Sequence, residues 1–454
     1  MIPNSNKAID FGQASIHRTQ LQRLYLKNLQ AQRSLQLLKK GIWAYFFLLI
    51  FEGALRKWFL PGLATPLLII RDPLALWLVL MAWSNHKLRA NPYLIGMVAI
   101  GILSLFTAVL LGHGSLPVAI FGARGLVIHF PLVFVIGSIF TADDVVKLGK
   151  AVLWITIPMT ILIALQFYSP QSAWVNRGLA GDTAGAGFSG AMGYFRPPAT
   201  FSFTNGTTLF YSLAACFIFY FWLNPNRINR LLLVGATVGL LAAIPLSISR
   251  GLFFQVGITV LFTVIAVSLK PKYAWRMVIA GTGLLITVAL LNNISFFQTS
   301  TQAFTSRFET ANEQAGGFKA SVIDRVLDGV VEELTSSSDQ PFFGYGLGMG
   351  TNVGAQLLTG GRTFLIAEGE WGRIIGELGP LLGLLVIFLR VSLTARITIA
   401  SYTKLRSGNL LSWMLLSYGL STISQGGWSQ PTALGFTTLM GGLLIASLKV
   451  EQKS

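Results

Sequence analysis

Residues 251–269, GLFFQVGITVLFTVIAVSL, contain no charged side chain over nearly the length that a bilayer-spanning helix needs, roughly 20 residues. The rest of the chain has the same character: of its 454 residues, 53% are hydrophobic and only 11% are charged. The mean hydropathy is +0.63. This composition excludes an ordinary soluble enzyme and predicts an all-α, polytopic membrane helix bundle.

About twelve apolar segments are long enough to cross a bilayer. They are 41–60, 64–83, 93–112, 117–140, 147–168, 201–223, 230–248, 251–269, 276–295, 372–394, 408–424 and 431–448. These segments divide the chain into a basic amphipathic tail over 1–40, transmembrane helices over 41–295, a large outer loop over 296–371, and further transmembrane helices with a short tail over 372–454. The outer loop is predicted to carry short helices, one of them around Arg325.

The distribution of basic residues orients the bundle. When both termini are placed in the cytoplasm, the inner connections and the span ends beside them hold about two thirds of the 34 Lys and Arg residues, as the positive-inside rule requires. This rule accounts for the net charge of +17, so nucleic-acid binding is not needed to explain it. The tail 1–40 either lies on the anionic inner leaflet or is a plain helical extension. We therefore predict a multi-pass membrane protein with both termini in the cytoplasm.

Three polar motifs interrupt the apolar chain between 195 and 379, and this topology places all of them on the outer side. They read FRPPATFS at 195–202, SISRG at 247–251, and AEGEW at 367–371 followed by GELG at 376–379. An arginine at the centre of a spanning helix costs roughly 2.5–3.5 kcal/mol, so arginines persist near membranes mainly where they have a partner or a task. The arginines of these motifs predict a site for an anionic, membrane-borne substrate.

In their order and spacing, these motifs resemble the lipid-linked polysaccharide polymerases and O-antigen ligases. That family has Arg-x-x-Gly-Thr-Phe-x-His-Pro-Asn, Ser-Arg-Gly, Gly-Val-Gly-x-Gly, Ala-His-Asn-x-Tyr and Glu-Leu-Gly, and the counterparts here are 196–205, 249–251, 344–348, 367–371 and 377–379. Ala199 replaces a glycine of the family, and Phe203-Thr204 replace His-Pro. Glu368 stands where the ligases have histidine, which favours a polymerase-like relative.

The resemblance implies a location in the bacterial inner membrane. It also implies transfer of a glycan from an undecaprenyl-pyrophosphate carrier to an acceptor sugar hydroxyl on the outer face of that membrane. The product would be an exopolysaccharide, a capsule or an O-antigen, with a chain-length regulator as a further partner. A ligase would differ in its acceptor, which is lipid A core or protein. A transporter or flippase for lipid-linked oligosaccharide is the rival of another class. It is less favoured because the hydropathy pattern lacks a two-fold repeat.

Each candidate residue has a chemical role under this implied function. Arg196 and Arg250 would clamp the pyrophosphate, since a guanidinium donates two parallel hydrogen bonds and stays charged. Glu368 would accept the proton of the attacking hydroxyl as the catalytic base. The remaining predicted substrate-binding residues are Arg124, Arg325, Glu370 and Arg373. For two of them a structural ion pair is the alternative: Arg124 with Glu52, and Arg325 with Asp328.

Metal and cofactor chemistry are not expected. The outer loops have no Asp-x-Asp signature, so the arginines would take the place of a divalent metal. The single cysteine, Cys216, lies in an apolar run, and the four histidines are scattered without ligand spacing. We therefore predict a glycosyltransferase that is independent of metals and cofactors.

The topology is tested by reporter fusions. Fusions at Ser172 and Ser337 should report an outer location, and fusions at Asn91 and Lys404 a cytoplasmic one, because the basic connections stay inside. A cytoplasmic signal from Ser337 would overturn the orientation.

Overall fold

The computed structural model of the chain describes residues 6–315, 340–361, 366 and 369–449. It is 78% helical, which confirms the predicted all-α class. The α-helices are α1 Asn6–Ala54, α2 Ala64–Leu67, α3 Arg71–Ser84, α4 Pro92–Leu110, α5 Leu116–Arg124, α6 Phe130–Ile139, α7 Ala142–Tyr168, α8 Thr204–Leu223, α9 Arg230–Leu246, α10 Arg250–Leu269, α11 Ala274–Asn292, α12 Ser295–Ala315, α13 Asn352–Thr359, α14 Glu370–Arg406, α15 Leu411–Gln425 and α16 Pro431–Ser447.

Shorter elements connect these helices. Two π-helical turns, Leu55–Phe59 and Gly125–His129, continue α1 and join α5 to α6. An antiparallel hairpin of β1 Phe188–Ala191 and β2 Tyr194–Arg196 lies in the connection from α7 to α8. The 3-10 turns are Pro61–Leu63, Trp174–Asn176, Leu179–Gly181, Pro225–Arg227 and Pro271–Tyr273.

Within the described residues, eight helical stretches are long and apolar enough to cross a membrane. They are Tyr25–Phe59, Pro61–Ser84, Pro92–Leu110, Leu116–Ile139, Ala142–Tyr168, Thr204–Leu223, Arg250–Leu269 and Glu370–Arg406, and each overlaps a predicted span. The other four predicted spans are also helical, as α9, α11, α15 and α16, which have 17, 19, 15 and 17 residues. The chain is therefore a polytopic membrane protein, with eight of the twelve predicted spans meeting this criterion.

The first helix joins two parts of the chain that the sequence pattern separates. Helix α1 runs for 49 residues from the basic tail into the first span without a break. Residues 6–40 of the predicted tail therefore extend the axis of the first span and do not form a separate helix. Side chains between 25 and 33 are mostly exposed, and buried side chains recur along α1 from Leu38 onward.

Helix α14 reverses direction at Gly379, where the backbone leaves the helical region with φ +80° and ψ 167°. Glu370 and Arg390 form an ion pair of 3.0 Å, although a straight helix would separate them by about 30 Å. The predicted span 372–394 is therefore two antiparallel pieces, a short helix over 370–378 and a long one that begins at Pro380. The short piece places Glu370 inside the bundle.

The glycine-rich turn at 344–348 packs against the short piece of α14. The amides of Tyr345 and Gly346 donate to the carbonyls of Gly376 and Glu377, at 2.8 and 3.1 Å. Gly344, Gly346 and Gly348 all have positive φ, which glycine adopts without strain. The glycine-rich motif at 344–348 and the Glu-Leu-Gly motif at 377–379 therefore pack directly against each other.

The reversal predicts that Gly379→Ala is destabilising. An added Cβ would overlap the carbonyl oxygen of Phe342, and alanine at this φ costs about 1–3 kcal/mol in backbone strain alone. Gly257→Ala is the matched control, because nothing lies within 4 Å of a Cβ there and alanine favours the middle of α10. Thermal unfolding in detergent should show a lower midpoint for Gly379→Ala alone. Equal midpoints for both variants would contradict the reversal.

Candidate functional site

A cavity of about 720 Å³ lies where several helices begin. Its lining includes Arg196, the first turns of α8 and α10, Arg307 of α12, Glu370 of α14, and residues of the connection between α15 and α16. The predicted residues Arg196, Arg250 and Glu370 therefore come together. The structure places them around one volume, although they lie far apart in the sequence.

Four helices of the described chain, α8, α10, α14 and α16, have their N-terminal ends at this cavity. The free N–H groups and the dipole at a helix N-terminus favour negative charge. The C-terminal ends of α9 and α15 also reach the cavity, through Ile248 and Gln425, and partly offset this contribution. The net positive potential therefore depends mainly on the arginine side chains.

Arg196 ends strand β2, and the loop that follows it is fixed by hydrogen bonds to three helices. Gln166 of α7 accepts from the Ala199 amide at 2.8 Å and donates to its carbonyl at 3.2 Å, while Lys57 donates to the same carbonyl at 2.5 Å. Thr207 of α8 donates to the Pro197 carbonyl at 3.0 Å. This bracing holds Ala199 at φ +54°, an uncommon conformation for a residue with a side chain. Arg196 is thus presented from a rigid loop.

Arg250 is the first residue of α10, and its position is fixed by Ser249. The Ser249 hydroxyl accepts from the Leu252 amide at 3.2 Å as a helix cap, and it also bonds to the Thr208 hydroxyl at 2.8 Å. The preceding residue, Ile248, is fully buried at φ +46°, which is a strained conformation for a β-branched side chain. Such strain persists where the surroundings enforce it and is concentrated at functional sites.

Arg307 of α12 is a cavity residue that the sequence analysis did not select. It donates to the Ser189 carbonyl of strand β1 at 3.2 Å. Ser189 lies one residue after Phe188, which pairs with Arg196 across the hairpin, so the hairpin brings the two arginines together. The sequence gives little indication that Arg307 lines a cavity, because a single arginine on an amphipathic helix is typical of a solvent-exposed surface.

Among the described residues, three arginines line this cavity, and none of the three forms an ion pair with a described carboxylate. The Nε of Arg196 is buried without a hydrogen-bond partner. Burial, with the charges of Arg307 and Arg250, lowers the pKa of Arg196 to about 10, and burial and Arg250 lower the pKa of Arg307. Arg196 therefore stays cationic at neutral pH but lacks a counter-charge. This arrangement is suited to binding an anion.

The carboxylate of Glu370 is held at the cavity by several ion pairs and hydrogen bonds. It accepts from Arg373 at 2.9 and 3.1 Å and from Arg390 at 3.0 Å. Arg373 also binds Glu377 at 2.5 Å, and Glu377 accepts from the Gly350 amide at 2.9 Å. Arg373 itself does not line the large cavity. Both oxygens of Glu370 are therefore occupied by cations, which suits the residue to positioning more than to proton abstraction.

Arg124 lies in a different cluster. It pairs with Asp72 at 3.0 Å and stacks on the ring of Phe121 at 3.6 Å. Asp72 also contacts His129 at 2.9 Å, and the other ring nitrogen of His129 contacts the Tyr45 hydroxyl at 3.0 Å. Arg124 is not among the residues that line the large cavity. Its partners identify a buried brace between α3, α5 and α1.

A second pair of arginines surrounds Glu52 next to this brace. Glu52 binds Arg56 and Arg71, both at 3.1 Å, and Arg56 also donates to Ser202 at 2.9 Å. The brace thus reaches the loop that follows Arg196, which links the first helix to the cavity wall.

Two predicted residues, Glu368 and Arg325, lie outside the described residues, as does the predicted loop helix around Arg325. Their predicted roles stay predictions. Over the part of the chain that the structure describes, no group of three or more His, Cys, Asp or Glu side chains could hold a metal ion.

The ion pairs of Glu370 predict a stability effect. Glu370→Gln should lower the free energy of unfolding by about 3 kcal/mol, near the lower end for breaking a buried pair, because the buried Arg390 loses its counter-charge while Arg373 keeps only its pair with Glu377. Glu309→Gln, on the exposed face of α12, is the control. The readout is the thermal unfolding midpoint in detergent. An unchanged midpoint for Glu370→Gln would show that these pairs do not stabilise the fold.

Comparisons of the chain with protein-family models, with curated proteins and with solved structures found no match. Function is therefore inferred from the cavity and from the order of the motifs.

Proposed function

We propose that this protein is a membrane glycosyltransferase of the polysaccharide polymerase type. It would move a glycan from an undecaprenyl-pyrophosphate carrier to an acceptor sugar hydroxyl on the outer face of the membrane. The observation that carries this proposal is the convergence of Arg196, Arg250 and Arg307 on one cavity, without an ion pair to any described carboxylate.

The charge and size of the cavity fit such a donor. A pyrophosphate diester carries two negative charges near neutral pH, and arginine forks bind phosphoryl oxygens in pairs. The helix N-termini around the cavity add donors for the same group. The volume of about 720 Å³ lies within the range of small-molecule sites, about 300–1,000 Å³.

The proposed topology has twelve crossings, both termini in the cytoplasm and the cavity on the outer side. Helices α15 and α16, of 15 and 17 residues, are about 22–26 Å long, which is less than the roughly 30 Å hydrocarbon core. Their short length supports a cavity floor, the connection between them, that lies below the outer surface. A phosphate group held there would stay close to the membrane while its lipid chain remains in the bilayer.

The proposed reaction is a single displacement. The acceptor hydroxyl oxygen forms a bond to the anomeric carbon, and the bond from that carbon to the diphosphate oxygen breaks. The lipid diphosphate leaves with one additional negative charge, and the hydroxyl proton passes to a base, for which Glu368 remains our candidate. A ligase would perform the same step with lipid A core or protein as the acceptor.

A transporter or flippase for lipid-linked oligosaccharide is the second candidate. The observation that favours it is the cluster around Glu52 and Asp72, because ionisable groups inside a membrane are often functional. Both carboxylates are nevertheless paired with arginines, which suits a structural brace. The arginines without a described ion-pair partner instead line the cavity, at the end of β2 (Arg196), at the start of α10 (Arg250) and within α12 (Arg307), where an enzyme for headgroup chemistry would have them.

Substitution of the arginines tests the proposed function. Arg196→Ala and Arg250→Ala should each abolish polymer formation from a lipid-linked donor, with the protein still present in the membrane. Arg250→Lys should remain strongly impaired, because a point charge lacks the two-bond geometry of the guanidinium. Product length on gels is the readout, and Arg406→Ala, at the other end of α14, is the control. Near-normal polymer from Arg250→Lys would reduce Arg250 to a surface anchor.

A further inference from the structure

Arg307 reaches the cavity from an element outside the core bundle. Helix α12 is held against α10 by aromatic contacts, with Phe304 and Phe253 at 5.9 Å and Phe308 and Phe254 at 5.8 Å between ring centroids. Phe254 itself lines the cavity. The helix is therefore docked beside the site, which gives Arg307 a defined position.

Among the residues that the structure describes, the hydrogen bonding of Arg307 leaves most of its donors free for a ligand. A guanidinium has five N–H groups, and the bond to the Ser189 carbonyl uses one of them. The side chain is half-buried, so it is reached from the cavity without being sealed in the core. Removing it should not compromise folding.

A charge balance distinguishes the third arginine from the other two. The diphosphate of a lipid-linked donor carries two negative charges, which two arginines neutralise. When the glycan leaves, the lipid diphosphate carries a third negative charge. The carboxylate of Glu370 does not alter this balance, because Arg373 and Arg390 already compensate it. A third arginine at the cavity therefore has a matching negative charge only after the bond between the anomeric carbon and the diphosphate oxygen has broken.

We propose that Arg307 is a substrate-binding residue that stabilises the charge gained by the leaving diphosphate. The inference rests on the proposed function. An interaction that strengthens as charge develops accelerates the chemical step, whereas uniform binding of the donor does not. Arg307 therefore contacts the diphosphate of donor and product alike, and it binds the product more strongly.

The test compares the binding of two lipids to the purified full chain in nanodiscs of neutral phospholipid. The probes are undecaprenyl diphosphate and the same lipid with its glycan attached. Arg307→Ala should weaken binding of the free diphosphate at least about tenfold, the effect of losing one charge-assisted hydrogen bond, and change donor binding by less than about threefold. Arg307→Lys should recover most of the affinity, because the requirement is for charge.

Arg177→Ala is the matched control, since it removes one arginine from the connection between α7 and α8 without altering a residue that lines the cavity. Unchanged binding of the free diphosphate to Arg307→Ala, or equal losses for both lipids, would overturn the inference. Failure of the proposed function is a distinct result, in which the unmodified chain binds neither lipid. Turnover adds a second readout: Arg307→Ala should lower kcat and leave KM nearly unchanged.

Discussion

The contact between Glu370 and Arg390 is the interaction on which the architecture of the site depends. Arg390 is fully buried, so its guanidinium needs a partner inside an apolar bundle. It binds Glu370 at 3.0 Å, the Ile423 carbonyl at 2.9 Å and the Gly426 carbonyl at 2.7 Å, and it lies 4.2 Å from the ring centre of Trp428. One side chain thus joins the start of α14, the end of α15 and the connection into α16. All three segments contribute residues to the lining of the cavity.

Two groups of arginines stand out among the described residues. Five are buried and each pairs with a carboxylate: Arg56, Arg71, Arg124, Arg373 and Arg390. Arg196, Arg250 and Arg307 line the cavity and have no such partner among the residues described. A paired arginine inside a bundle is explained by structure alone. An unpaired cluster is costly for the folded state, because the charges repel one another, and it is explained most simply by an anionic ligand.

The sequence predicted the fold class and several residues that line the cavity. The physical reasons for this success also explain what the sequence did not predict. Composition reflects burial in lipid, so the all-α membrane class followed from hydropathy. The order of the motifs predicted that Arg196, Arg250 and Glu370 lie on the same side of the membrane, because adjacent spans run in opposite directions. The reversal at Gly379 was not predicted, because the mean hydropathy of residues 372–394 carries no information about the direction of the chain. Arg307 was missed because its neighbour Ser189 lies more than a hundred residues away.

The choice of ion-pair partners was also beyond the sequence. Glu52 lies on α1 and Asp72 on α3, and the sequence alone does not decide which of them pairs with Arg71 or Arg124. Packing decided between them: Arg71 binds Glu52 and Arg124 binds Asp72. The catalytic role of Glu368 and the binding role of Arg325 remain predictions.

The reversal in α14 has a consequence for how the protein is inserted into the bilayer during synthesis. Glu370 leaves the ribosome before Arg390, so the carboxylate exists when its partner enters the membrane, yet the pair forms only after the chain folds back. Until then Arg390 costs the inserting segment about 2.5–3.5 kcal/mol, and the apolar run LLGLLVIFL at 381–389 offsets this at about 0.3–0.6 kcal/mol for each Leu, Val, Ile or Phe. The two amounts are similar. The apolar run is therefore long enough to offset the cost of inserting Arg390 before its ion pair forms.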